Sequence, residues 1–289
     1  MDEGQPINKE EKKLIEDFLQ EVLNYREPLK LALKKILGTK KSQDALDHLE
    51  DLEEKGCYIS DPEIARKMGS FFVGREEDLG FYVFSYHDPS IKVEVKDNGE
   101  MSHPVGTISS RPVFLYWPKA ITNKSLELKG QSLPPYFTPW IHEFGHFLCY
   151  WLQDYPIMIA MNILVGSLSQ NGHPIRKSED LLHLTPENVS RRVWESVRLL
   201  VQWSSLNEAM AIWWEDHLLK LMEFNVEAYM APKKEGNPFV GQLETCNKEK
   251  AIDYIQNWHK PSYYPEPFTK SFLSSLSKVT IDKWWFLKE

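Results

Sequence analysis

The sequence predicts an α+β fold, mainly helical, with a small mixed sheet ahead of a central helix and a helical C-terminal part. Three observations carry this. Residues 8–37 are rich in Lys and Glu, with apolar residues at helical spacing, and helix signals continue to about residue 70. Residues 71–118 hold short aromatic and β-branched runs with period-two alternation. From residue 137 onward, prolines, caps and apolar stripes return to helical spacing.

Composition bounds the function. The 289 residues are 42% hydrophobic and 12% aromatic, with 10 Trp, enough for a sizeable core in one large domain or two smaller ones. A net charge of −8 without a basic patch argues against nucleic acid as a partner. Cys57, Cys149 and Cys246 are odd in number and far apart, so a reducing compartment is expected rather than a disulfide framework. The N-terminus lacks the basic start and apolar stretch of a signal peptide. The most apolar run, residues 157–165, is too short to span a bilayer. The expectation is a cytoplasmic protein without a membrane partner.

At the front end, Leu14, Ile15, Phe18, Leu19, Val22 and Leu23 share a helical face. Pro28 begins a second segment that Gly38 ends, and Ser42–Lys55 forms a third helix closed by Gly56. Ser60 to Glu63 has capping-box form. Residues 1–70 are therefore expected to be a helical subdomain or flap, and 71–289 the main domain. Within the latter, residues 81–86, 91–95 and 113–117 read as strands, with Asp97-Asn98-Gly99 as a hairpin turn. Residues 113–117 are either an internal strand or an edge open to an extended peptide. Beyond Pro156, helices are expected at 157–167, from Thr185 to Trp203, from Ser205 to Phe224 and from Asn247 to Trp258, with a loop over 232–247 and a helical tail.

The chemistry lies at residues 138–146, which contain His142-Glu143-Phe144-Gly145-His146. Thr138 suits a helix cap and Pro139 a first turn. On such a helix His142 and His146 are one turn apart on one face, where two imidazoles can share a metal ion. Glu143 stands beside them. A carboxylate there can take a proton from water acidified by zinc, which makes it the expected general base. The alternative is a core helix with two hydrogen-bonded histidines.

A catalytic zinc site needs a third protein ligand. Glu208, in Leu206-Asn207-Glu208-Ala209-Met210-Ala211, is the best placed. It has a second reading, because Ser205 to Glu208 also fits a capping box. Glu215 shares a face with Glu208 and could orient a histidine; His217 is a reserve ligand. Asp154 lies too far along the motif helix. Cys149 reads as core. His173, His183, Tyr263 and Tyr264 are possible transition-state donors without positional support.

The two motifs together resemble the zincin metallopeptidases of gluzincin type, the thermolysin-like and aminopeptidase-N-like enzymes. In the latter the second helix reads Leu-Asn-Glu-Gly-Phe-Ala, close to residues 206–211. The resemblance covers 142–146 and 206–211 only. It departs from the family in spacing, with 61 residues between His146 and Glu208, and in lacking the aminopeptidases' Gly-Ala-Met-Glu-Asn signature. It implies a zincin-like catalytic domain, zinc held by His142, His146 and Glu208, Glu143 as base, and a peptide or protein substrate cut by endopeptidase action. The alternative is a zincin-fold module that binds zinc or a protein partner without hydrolysis.

Overall fold

The computed structural model describes residues 8–54, 58–59, 80–87, 94–95, 101–102, 108–116, 118–152 and 190–257. The expected helix opening at Ser60, the hairpin turn at 97–99, the segments 157–167 and 258–289, and the boundary at residue 70 lie outside these residues.

Nine helices are described: α1 Lys9–Asn24, α2 Arg26–Leu37, α3 Thr39–Glu54, α4 Pro118–Glu127, α5 Phe137–Leu152, α6 Arg191–Leu221, α7 Glu227–Gly236, α8 Pro238–Glu244 and α9 Lys248–Asn257. The first begins at a capping box. The Asn8 side chain accepts from the backbone N–H of Glu10 and Glu11 at 2.9 and 3.0 Å, and Glu11 accepts from Asn8 N–H at 2.8 Å. Phe18 and Val22 form its buried face. In α2, Leu29, Ala32, Leu33 and Ile36 repeat that spacing, and Gly38, at φ 79°, ends the helix. Ala45, Leu46, Leu49 and Leu52 bury the third face.

These faces close on α5 and α6 as one hydrophobic core. Tyr116 is a hinge point of that core. Its ring lies 4.8 Å from that of Phe18, and its hydroxyl accepts from the Trp140 indole at 3.0 Å. A stacked run, Phe137, Trp140 and Phe144, follows the inner side of α5. Burying aromatic rings of this size is worth roughly 1.5–3 kcal/mol each.

The α+β expectation is corrected: the class is all-α. Among the residues described with their side chains, helices make up 82% and no sheet forms a layer. Among the described residues, extended backbone forms one three-stranded and one two-stranded pairing. Gly80–His87 runs antiparallel to Ile108–Leu115, Tyr58–Ile59 runs parallel to the end of the latter, and Glu94–Val95 pairs with Met101–Ser102. Phe114, the residue of these segments whose side chain is described, lies in the core. Alternation in sequence marked local pairing. Residues 114–115 pair on both sides, so the edge-strand reading of 113–117 is also corrected.

Two further boundaries differ. The expected break between a helix ending at Trp203 and one starting at Ser205 is absent, and α6 runs unbroken from Arg191 to Leu221. The expected loop over 232–247 is largely helical. Gly236 ends α7, Asn237 caps α8 by accepting from Phe239 N–H at 3.0 Å, and Pro238 takes its first position. The Pro/Gly/Asn signals there are helix punctuation.

Candidate metal centre

The centre forms where α5 crosses α6. Both helices are apolar on most sides at this point, with Phe144, Phe147 and Leu148 on one and Ala209, Met210, Trp213 and Trp214 on the other fully buried. Their backbones approach closely at Gly145. A Cβ built there would stand 2.9 Å from the Ala211 carbonyl oxygen and 3.2 Å from the Trp214 Cβ. That approach brings the polar face of α5 against Asn207, Glu208 and Glu215 of α6.

The motif helix starts at Phe137, and its cap is not Thr138, whose buried hydroxyl has no hydrogen-bond partner among the described residues. Glu21 of α1 does that work: its carboxylate accepts from the N–H groups of Tyr136 and Phe137, both at 2.9 Å. A carboxylate at a helix start satisfies orphan donors and complements the helix dipole. Nothing in the sequence around residue 21 announces this role.

His142 and His146 stand one turn apart with ring centroids 5.0 Å from each other. Their Nε2 atoms converge on a single carboxylate: Glu208 Oε1 lies 2.9 Å from His142 Nε2, and Glu208 Oε2 lies 3.2 Å from His146 Nε2. Glu208 stands in the interior of α6. It has no helix start to serve, so the capping-box alternative is removed. His142, His146 and Glu208 form a group that could hold a metal ion, their donor atoms all within 4.8 Å of one another. Two imidazole nitrogens and one carboxylate are a three-ligand set of the kind catalytic zinc sites use. The residues present therefore fit a divalent metal.

Each histidine is held from behind. His142 Nδ1 lies 2.9 Å from Glu215 Oε2, and His146 Nδ1 lies 2.9 Å from the Asn207 amide nitrogen. The Glu215 carboxylate accepts from His142 Nδ1–H and leaves Nε2 to face the metal; for His146 the same requires the Asn207 amide turned to present its oxygen to Nδ1, since an amide nitrogen there would place the ring proton on Nε2. Glu215 is wholly buried. Its carboxylate accepts from Lys233 Nζ at 2.7 and 2.8 Å and from the Tyr229 hydroxyl at 2.7 Å. Tyr229 and Lys233 belong to α7. Sequence reasoning missed them because Pro232 made that stretch read as a loop; their four-residue spacing was the available signal.

The charges reinforce one another. Burial opposes the charged form of Glu215, yet the Lys233 ammonium and His142 outweigh it and hold the carboxyl at about 2. Burial likewise opposes a charged His142, but Glu208 and Glu215 prevail and raise it to about 10. Burial works against an ionised Glu208 as well, and the two histidines pull it well below the usual carboxylate range. Burial, then Glu215, holds the Tyr229 phenol well above its ordinary value, with Glu143 contributing.

No protein-family model, curated protein or solved structure matches this chain. The site therefore stands on its own geometry.

Glu143 follows His142 on α5 and is half-buried. Two other sequence candidates are elsewhere. His217 Nδ1 lies 2.8 Å from the Trp213 carbonyl oxygen, its ring stacks on Trp213 at 4.1 Å, and it stands outside the group that could hold a metal. Cys149 is buried in the core, and burial pushes its thiol up. Asp154, His173, His183, Tyr263 and Tyr264 lie outside the described residues. Among the described residues no helix is long and apolar enough to cross a membrane.

Proposed function

We propose that this chain is a zinc-dependent endopeptidase of gluzincin-like type, acting on peptide or protein substrates. The observation that carries the reading is the Glu208 carboxylate meeting both histidine Nε2 atoms. That residue is separated from His146 by 61 others, and it lies in the string that resembles the gluzincin second helix.

His142, His146 and Glu208 would hold the ion. When bound, zinc supplies a Lewis acid that polarises a carbonyl and acidifies water. Glu143 acts as general base: it takes the proton of the attacking water and returns it to the leaving amine. Glu215 and Asn207 keep the imidazoles oriented, so Glu143 and the reacting carbonyl meet in fixed geometry. Burial of the surrounding rings strengthens every charge interaction in the site. A module that merely binds zinc gains nothing from a carboxylate beside its ligand pair.

The test combines metal analysis with peptide hydrolysis by the full chain. The reading expects about one zinc per chain by the three-ligand argument. Glu143→Gln should retain the zinc and lose about 10²–10⁴-fold in turnover, since it removes the base and leaves the ligands. Zinc binding with no cleavage of any peptide in a diverse library would leave the non-catalytic zincin-like module instead.

A further inference from the structure

Lys233 and Tyr229 stand outside the ligand set, yet they complete it. Glu215 backs His142 among the described residues, and its two oxygens are both engaged. Oε2 faces His142 Nδ1 at 2.9 Å and accepts from Lys233 Nζ at 2.8 Å; Oε1 accepts from Lys233 Nζ at 2.7 Å and from the Tyr229 hydroxyl at 2.7 Å. Lys233 in turn donates to the Tyr229 hydroxyl at 2.7 Å and sits 4.3 Å from the centre of its ring. Both residues come from α7, one turn apart, whereas Glu215 comes from α6 and His142 from α5. Three helices thus converge on one carboxylate.

We infer that Tyr229 and Lys233 are positioning residues that clamp Glu215 and thereby set the orientation and proton placement of His142 as a metal ligand. The inference rests on the zinc-site reading above and extends it to α7.

The physical case has three parts. Glu215 is wholly buried, so an ionised carboxylate there needs a cation and hydrogen bonds to be tolerated. Lys233 supplies the charge symmetrically, contacting both oxygens, which stops the carboxylate from rotating. Tyr229 fills the remaining direction of Oε1, leaving Oε2 as the acceptor for His142 Nδ1–H. With the proton held at Nδ1, Nε2 presents its lone pair toward the ion. A carboxylate left free to turn, or drawn elsewhere, would give up that control. Loss of an outer partner of a metal-binding histidine typically costs about 10–100-fold in metal affinity.

The bland alternative is that Lys233 and Glu215 simply tie α7 to α6. The two roles separate by measuring zinc affinity of the folded full chain by chelator competition, beside its thermal unfolding. Tyr229→Phe removes one hydroxyl and keeps the ring, so it should fold; it should weaken zinc binding about tenfold. Lys233→Met should weaken it about 10–100-fold, and Lys233→Arg should recover most of the loss. Nitrogen-15 NMR of the zinc-loaded protein should show the His142 Nδ1 proton exchanging faster in Tyr229→Phe than in the parent. If the parent binds zinc and Tyr229→Phe matches it in both affinity and proton exchange, the clamp is overturned while the zinc site stands. If the parent binds no zinc, the metal reading fails and the clamp fails with it.

Discussion

Gly145 and Ala211 approach closely across the two site helices: a Cβ on Gly145 would meet the Ala211 carbonyl oxygen at 2.9 Å. Within the motif, the position before His146 therefore has a steric duty. Gly145→Ala gains about 1 kcal/mol of helix propensity, but overpacking a tight interior contact costs about 1–3 kcal/mol, and a backbone neighbour cannot swing aside. The expected outcome is lower stability in denaturant melts and weaker zinc binding, because Glu208 moves away from the histidines. Improved stability with unchanged zinc affinity would show that the helices tolerate separation.

Glu21 links α1 to the start of the motif helix. Glu21→Gln keeps a side-chain acceptor and removes the charge; Glu21→Ala removes both. Loss of such a cap costs about 0.5–2 kcal/mol. Urea unfolding should follow the order parent, Gln, Ala, with zinc affinity of the folded protein little changed. Equal stability of all three would deny Glu21 its capping role.

The pH dependence has two limbs in the metal-free protein. His142, raised to about 10 from its ordinary 6.5, contributes stability that is complete below 6.5 and is lost as pH rises through about 10. Glu215, lowered to about 2 from 4.5, contributes stability that is complete above 4.5 and is lost as pH falls toward 2. Zinc must displace the His142 Nε2 proton at neutral pH. Calorimetric titration in buffers of different ionisation enthalpy should report about one proton released per zinc. Release of none would place His142 in its neutral form before binding.

Legibility in the sequence followed the range of the physics. Local signals were sound: the spacing of His142 and His146 put both on one face, and Gly38 and Asn247 did punctuate helices. Glu208 was found from its string, but its rival role as a cap was not removable from sequence. Ser204-Ser205 reads like a helix start, and only tertiary burial of Leu206, Ala209 and Met210 carries α6 straight through. The α+β reading failed for a related reason. Alternating residues at 81–86 do take extended backbone, paired antiparallel with the 108–115 segment, but helices account for 82% of the residues described with their side chains. Glu21 was illegible because it acts on residues 115 and 116 positions along the chain; Tyr229 and Lys233 were passed over because Pro232 read as a loop signal.

The most direct measurement is zinc affinity in Glu208→Gln. The substitution preserves shape and removes the charged ligand, and Glu208 lies in mid-helix where it caps nothing. Zinc binding should weaken sharply, by about 100-fold or more, the low end of the about 3–5 kcal/mol that removing one partner of a buried charged pair costs, while the fold persists. Zinc affinity equal to that of the parent would contradict a ligand role for Glu208 and with it the proposed centre.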